Sequence, residues 1–211
     1  MQLGMLLMLI VPAWSLAFWQ AWLYWILSSA AAFATALYFL AHDRALMQRR
    51  LEVGARAEAL PSQKLIQGVG GAFVSAIYIV AGIEHRIDAA CVPVSVVLAA
   101  AAVVLAGFAL TFRVFRENTF TASTVTVEAG QRVVTSGPYA IVRHPMYTAA
   151  MLGYLATPLA LGAPWALIPV ALLCVAIVVR LLDEERHLTA HLPGYEVYCD
   201  SVRYRLIPGI W

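Results

Sequence analysis

From about Leu3 to about Ala41 the chain is almost continuously apolar. A membrane helix needs about 20 such residues, so this run is too long for one crossing and suits two. Backbone N–H and C=O groups in hydrocarbon must be satisfied within their own segment, which leaves helices as the structure such runs can adopt. A break is expected near Trp19-Gln20, where Trp14, Trp19, Trp22 and Trp25 resemble an interfacial aromatic belt. Four more apolar runs follow, at about 65–83, 92–112, 145–161 and 165–182, the last continuing as a more polar helix. Pro145 suits a first helical position, where a missing N–H costs nothing, and Gly162-Ala163-Pro164 marks a tight turn.

The expected fold is therefore all-α, a polytopic membrane bundle of about six transmembrane helices. Residues 1–112 hold the N-terminal spans and residues 113–211 a polar loop, the last two spans and a tail, all in one folded unit. Thr124-Val-Thr-Val-Glu and Arg132-Val-Val-Thr flank Ala129-Gly130-Gln131, a pattern that predicts a small hairpin. Within Pro193 to Trp211 a short amphipathic helix is expected, with Tyr195, Tyr198, Cys199 and Val202 on one face and Glu196, Asp200 and Arg203 on the other.

Composition excludes several classes. Hydrophobic residues make up 62% of the chain and charged residues 12%, about half the charged share of an ordinary soluble domain. No soluble domain fits between the spans. The first segment lacks the basic start and small-residue cleavage pattern of a removable signal peptide. No basic block interleaved with aromatics points to nucleic acid. Cys91, Cys174 and Cys199 are odd in number and far apart, so neither a disulfide framework nor a metal site is expected. Glycine-rich nucleotide loops, GxSxG elbows and HExxH are absent. The middles of the spans are nearly free of charge, against a pump or channel.

The charges lie between the spans. With both termini cytoplasmic, the inside segments carry 13 of the 14 Lys and Arg residues, all but Arg86. The positive-inside rule favours that orientation. It places two polar clusters on one membrane side. The first is Gly137-Pro-Tyr-Ala-Ile-Val-Arg-His-Pro-Met-Tyr147, at the entrance to the fifth span. Arg143, His144 and the helix N-terminus could hold an anion such as a carboxylate, or could anchor to lipid phosphate. The second cluster is Asp183-Glu184-Glu185. Glu185 falls in the apolar stripe of Leu181, Leu182 and Leu188, where a carboxylate must be paired, protonated or near water. Arg180 with Glu184 and Asp183 with His187 are spaced to pair.

Gly137-Pro138-Tyr139, Arg143-His144-Pro145-x-Tyr147, Glu184-Glu185 and Tyr195-x-x-Tyr198 followed by Pro208 resemble the isoprenylcysteine carboxyl methyltransferase family and, more loosely, the related phospholipid methyltransferases. The resemblance covers Phe115 to Trp211. It implies S-adenosylmethionine as cofactor, held without a Rossmann domain by Tyr139, Val142, Arg143, His144, Tyr147, Glu184, Glu185, Tyr195 and Tyr198. Arg143 and His144 would take its carboxylate and Glu185 its amino group or ribose hydroxyls. A lipophilic or lipid acceptor would enter from the bilayer, with Arg203, Arg205 and Glu185 as the candidate catalytic residues and Arg203 favoured to aim an anionic acceptor. Carboxyl O-methylation is the leading expectation, with an amine or thiol acceptor as alternatives. Cys199-Asp200-Ser201 stands where the family often has basic residues. A membrane reductase of similar fold using NADPH, sharing a related Arg-His motif, and a non-enzymatic lipid-binding protein are the readings from other classes.

Overall fold

Every apolar run of the sequence is a helix. The structure is a computed structural model that describes residues 2–51, 60–88, 92–120 and 132–211, apart from the side chains of residues 49 and 51. The helices are α1 (Gln2–Ala13), α2 (Trp19–His42), α3 (Arg44–Leu51), α4 (Pro61–Arg86), α5 (Val94–Glu117), α6 (Pro145–Ala160), α7 (Leu167–His191) and α8 (Tyr195–Ser201). Short 3₁₀ segments, Gly137–Ala140 and Pro164–Ala166, precede α6 and α7. The described residues contain no strand. The expected hairpin falls mostly outside them, and residues 132–135 are irregular.

Four helical segments are long and apolar enough to cross a membrane: Trp19–His42, Pro61–Arg86, Val94–Glu117 and Pro164–His191. The first and fifth expected spans form shorter helices, α1 with 12 residues and α6 with 16. The fold is thus a helical membrane bundle. Its outward surface agrees, because Ile168, Leu172, Val175 and Val179 recur at helical spacing along an exposed apolar face of α7.

Local chemistry sets the breaks. Trp14, at a positive φ of 51°, ends α1, and its N–H donates back to Ile10 O at 3.0 Å. The indole of Trp22 donates to Leu16 O at 2.9 Å, holding the short connection to α2. α6 starts at Pro145, as the sequence predicts. It ends beyond Pro158, where Gly162 adopts a φ of 67° that an L side chain rarely takes.

The helices contribute to two compact units, each drawn from the described residues of three separate stretches. One comprises Met1–Ala34, Gly70–Phe108 and Ala150–Val175, and the other Thr35–Val69, Ala109–Ala149 and Ala176–Trp211. In the first, some buried polar groups pair with one another inside the bundle. Tyr24 and Thr157 share a hydroxyl–hydroxyl bond of 3.0 Å, and Glu84 accepts from the N–H of Trp165 at 2.9 Å. Both polar clusters of the sequence lie in the second unit.

In the first unit α1 and α4 cross at Gly82. A Cβ there would stand 2.5 Å from the carbonyl oxygen of Leu9 and 3.1 Å from the nitrogen of Ala13. Backbone cannot yield as a flexible side-chain end can, so Gly82→Ala forces the helices apart. The expected cost is about 1–3 kcal/mol, read as a lowered thermal unfolding midpoint in detergent. An unchanged midpoint overturns this account of the crossing.

Candidate active site

The site is built around one carboxylate. Glu185 lies on the buried stripe of α7 with Leu181 and is 8% exposed. A charge there stands only if neighbouring groups replace water. Three do so. Its Oε1 is 3.2 Å from Arg143 Nε and 3.2 Å from His144 Nε2, and its Oε2 accepts from Arg205 Nε at 2.8 Å. The Arg143 contact is an ion pair without hydrogen-bond alignment, whereas the Arg205 contact is a hydrogen bond. Burial would lower the pKa of Arg143, but the Cys199 thiol and the Glu185 carboxylate outweigh it and raise it.

The tail reaches this cluster by pairing with the entrance of α6. Arg143 N–H donates to Tyr204 O at 2.8 Å and His144 N–H to Arg205 O at 3.0 Å. Thr148 Oγ1 adds a bond of 2.9 Å to Leu206 O. The backbone N–H groups of the two residues before Pro145 are therefore taken by the tail, whereas the sequence reading offered the helix N-terminus and the Arg143 and His144 side chains to an anion. Groups that precede a helix must find acceptors, and the chain supplies its own. Beyond this point the tail folds back on itself, with Leu206 and Ile207 N–H donating to Trp211 O at 2.9 and 3.0 Å. Arg205 also lies over the Trp211 ring, 5.3 Å from its centroid.

Glu184, one residue earlier, points to a second cluster. It accepts from the Tyr147 hydroxyl at 2.5 Å, and that hydroxyl accepts from Arg180 Nε at 2.9 Å. Tyr147 thus bridges the Arg180 and Glu184 that sequence spacing pairs. Asp183 accepts from Ser62 Oγ and Gln63 Nε2, both at 2.8 Å. His187, its expected partner, stacks on His191 with centroids 4.2 Å apart.

The tail helix α8 buries the face that its amphipathic pattern groups together. Tyr195, Tyr198 and Val202 are buried with Leu192, and Tyr139, Leu188 and Cys199 pack against them. Glu196, Asp200 and Arg203 are exposed. The Tyr198 hydroxyl donates to Tyr139 O at 2.8 Å, while Asn118 Nδ2 donates to the Tyr139 hydroxyl at 3.1 Å. The Tyr195 hydroxyl is buried and has no hydrogen-bond partner among the described residues. Burial first, then the nearby Glu185 charge, pushes the Tyr195 phenol far up, and burial does the same to Tyr198. Both remain neutral donors at physiological pH.

The structure therefore brings Arg143, His144, Glu185 and Arg205 into mutual contact, sets Tyr147 with Glu184, and buries Tyr195, Tyr198 and Val142. Arg203 is exposed, whereas Arg205 meets the buried carboxylate. Among the described residues no group of His, Cys, Asp and Glu could hold a metal ion. Sequence reasoning did not find Arg50, Ser62, Gln63 or Asn118. Each contributes through a partner distant in sequence, and no local spacing signals such a pairing.

Residues 95–193 match the family model of phospholipid methyltransferases. The match supports a membrane methyltransferase of the isoprenylcysteine and phospholipid methyltransferase group. It covers just under half of the 211 residues and carries Arg143, His144, Tyr147, Glu184 and Glu185. Tyr195, Tyr198 and Arg205 lie beyond it. No curated protein matches the chain.

Glu185→Gln removes the anion shared by Arg143, His144 and Arg205. Leaving buried charges uncompensated costs about 3 kcal/mol or more. Arg205→Ala costs about 1 kcal/mol, because the Arg205 side chain is 31% exposed and water replaces part of what is lost. Unfolding in detergent should rank the variants in that order, and equal losses would contradict a carboxylate-centred cluster.

Proposed function

We propose that this chain is an integral membrane methyltransferase that uses S-adenosylmethionine and acts on a lipophilic acceptor by carboxyl O-methylation. The observation that carries the reading is the Glu185 cluster, a buried carboxylate that meets Arg143 and His144 within the stretch matched by the methyltransferase family and Arg205 from the tail beyond it.

The residues suit this cofactor. Its amino-acid end is a zwitterion, and the cluster offers both signs of charge within a few ångströms. Arg143 would take the carboxylate and Glu185 the ammonium. The unpartnered Tyr195 hydroxyl is a further buried donor. When bound, S-adenosylmethionine supplies a methyl group on a positively charged sulfur. The chain's own part is to position and to exclude water. The tyrosines of α8 and the docked tail cover the cluster, and a dry site makes each charge contact stronger.

The acceptor follows from what the site provides. A carboxylate is already ionised and needs no general base, but it needs a guanidinium fork to aim it. Arg205 is the tail arginine placed at the cluster, and it takes the aiming role that the sequence reading favoured for Arg203. An amine would need a base instead, and Glu185 is assigned above to the cofactor's ammonium. N-methylation of an amine headgroup is the second reading, favoured by the phospholipid methyltransferase match itself. The excess of basic residues on one side supports a cytoplasmic site and cytoplasmic termini.

Calorimetry on the detergent-purified chain should show S-adenosylhomocysteine binding. Arg143→Ala and Glu185→Gln should each weaken it roughly 10- to 150-fold, the size of one charge-assisted hydrogen bond. Thermal protection by NADPH in place of S-adenosylhomocysteine would move the assignment to a reductase.

Lysine keeps the charge of Arg205 but not its fork. With methyl-labelled cofactor and membrane lipid extract, Arg205→Lys should lower label transfer while leaving S-adenosylhomocysteine affinity nearly unchanged. Full transfer in that variant would remove the aiming role and favour an amine or thiol acceptor.

A further inference from the structure

Two successive glutamates of α7 serve two different clusters. Side chains one residue apart on a helix diverge by about 100°. Glu185 joins Arg143, His144 and Arg205, and Glu184 joins Tyr147, whose hydroxyl accepts from Arg180. The function proposed above draws on the first cluster; the resemblance counts Tyr147 and Glu184 among the cofactor's residues, and in the structure Tyr147 holds Glu184 and Arg180.

A further arginine reaches the second cluster from a distant part of the chain. Arg50, near the end of α3, places its guanidinium carbon 4.4 Å from the centroid of the Phe115 ring. Its Nη2 lies 3.6 Å from the sulfur of Met146, the residue before Tyr147. Tyr139, Tyr147 and Glu184 act electrostatically in favour of its charge, and Arg180 acts against it. Two guanidinium groups therefore converge on one tyrosine–glutamate pair.

We propose that Arg50 and Arg180, beside Tyr147 and Glu184, form an anion subsite that seats a second acidic group of the lipophilic acceptor, a phosphate or a carboxylate other than the one Arg205 aims, an assignment that rests on the methyltransferase reading. Whatever further contacts each arginine makes, an anion entering here gains from both cations at once. The guanidinium fork suits a carboxylate or phosphate. Phe115 and Met146 shield the guanidinium from water, which strengthens its attraction for an anion. Burial lowers the pKa of Arg50 to about 10, still well above neutral pH, so the group remains charged. α3 also carries Arg44 and Arg49 in sequence, and basic residues at a membrane surface concentrate anionic lipids.

Phosphatidic acid and palmitate separate the two sources of the anion. Native mass spectrometry of the full chain in detergent would measure retention of each probe by wild type, Arg50→Ala, Arg50→Lys and Phe115→Leu. Calorimetry on the same samples would measure S-adenosylhomocysteine affinity. Wild type should retain one of the probes: phosphatidic acid would identify a phosphate headgroup, and palmitate a free carboxylate. Arg50→Ala should weaken that retention about tenfold or more, and Arg50→Lys should recover part of it. S-adenosylhomocysteine affinity should stay within about twofold throughout, which a merely structural role for Arg50 would not predict.

Phe115→Leu keeps the charge and removes the ring, and should weaken retention about two- to fivefold. Should Arg50→Ala fail to fold, Arg50→Lys and Phe115→Leu decide the matter, and unchanged retention in both overturns the subsite. Failure of wild type to hold either probe overturns it too, as does equal retention by wild type and Arg50→Ala. Failure of wild type to bind S-adenosylhomocysteine would instead overturn the methyltransferase reading, while the retention measured for each probe would still report on Arg50.

Discussion

A carboxylate on the apolar stripe of a long helix is the constraint on which the second unit depends. Glu185 would be intolerable in that position alone, because removing an ion from water costs several kcal/mol even after relaxation. The chain answers with Arg143 and His144 from the entrance of α6 and Arg205 from the tail. Those three side chains fix two otherwise independent segments. The backbone bonds of Arg143 and His144 to the carbonyls of Tyr204 and Arg205 then follow, since the same approach brings both segments side by side.

The neighbouring acids extend this logic. Asp183, Glu184 and Glu185 are consecutive, yet each faces a different part of the second unit. Asp183 meets Ser62 and Gln63 of α4, Glu184 meets Tyr147 of α6, and Glu185 meets the entrance of α6 and the tail. The rotation of about 100° per residue turns a run of three acids into a three-way connection. Gln63, fully buried, also donates to the carbonyl of Arg180 at 3.2 Å, which ties the start of α4 to the same turn of α7.

Such a site is suited to positioning. Methyl transfer from a sulfonium needs alignment and dryness more than proton transfer. The polar groups collected here are largely guanidinium groups, carboxylates and neutral phenols. Tyr195 and Tyr198, pushed up by burial, are donors that do not titrate near neutrality. The cover they form with Leu192 and Val202 is apolar on the inside and charged outside, through Glu196, Asp200 and Arg203.

The apolar helices, their breaks and the polar ends of α6 and α7 were legible in the sequence, because each depends on neighbours a few residues away, whereas the polar α3 was not. A run of apolar residues must be helical in hydrocarbon whatever packs against it, Pro145 begins a helix by its own geometry, and the face carrying Tyr195, Tyr198 and Val202 follows from a period of 3.6. The special position of Glu185 could likewise be read from its leucine neighbours. Its partners could not, nor could the choice of Arg205 over Arg203 or the arrival of Arg50 beside Tyr147. Those contacts join residues far apart in sequence or depend on how an extended tail lies against a helix entrance. Local periodicity shows which side chain needs a partner, but the path of the folded chain decides which one reaches it.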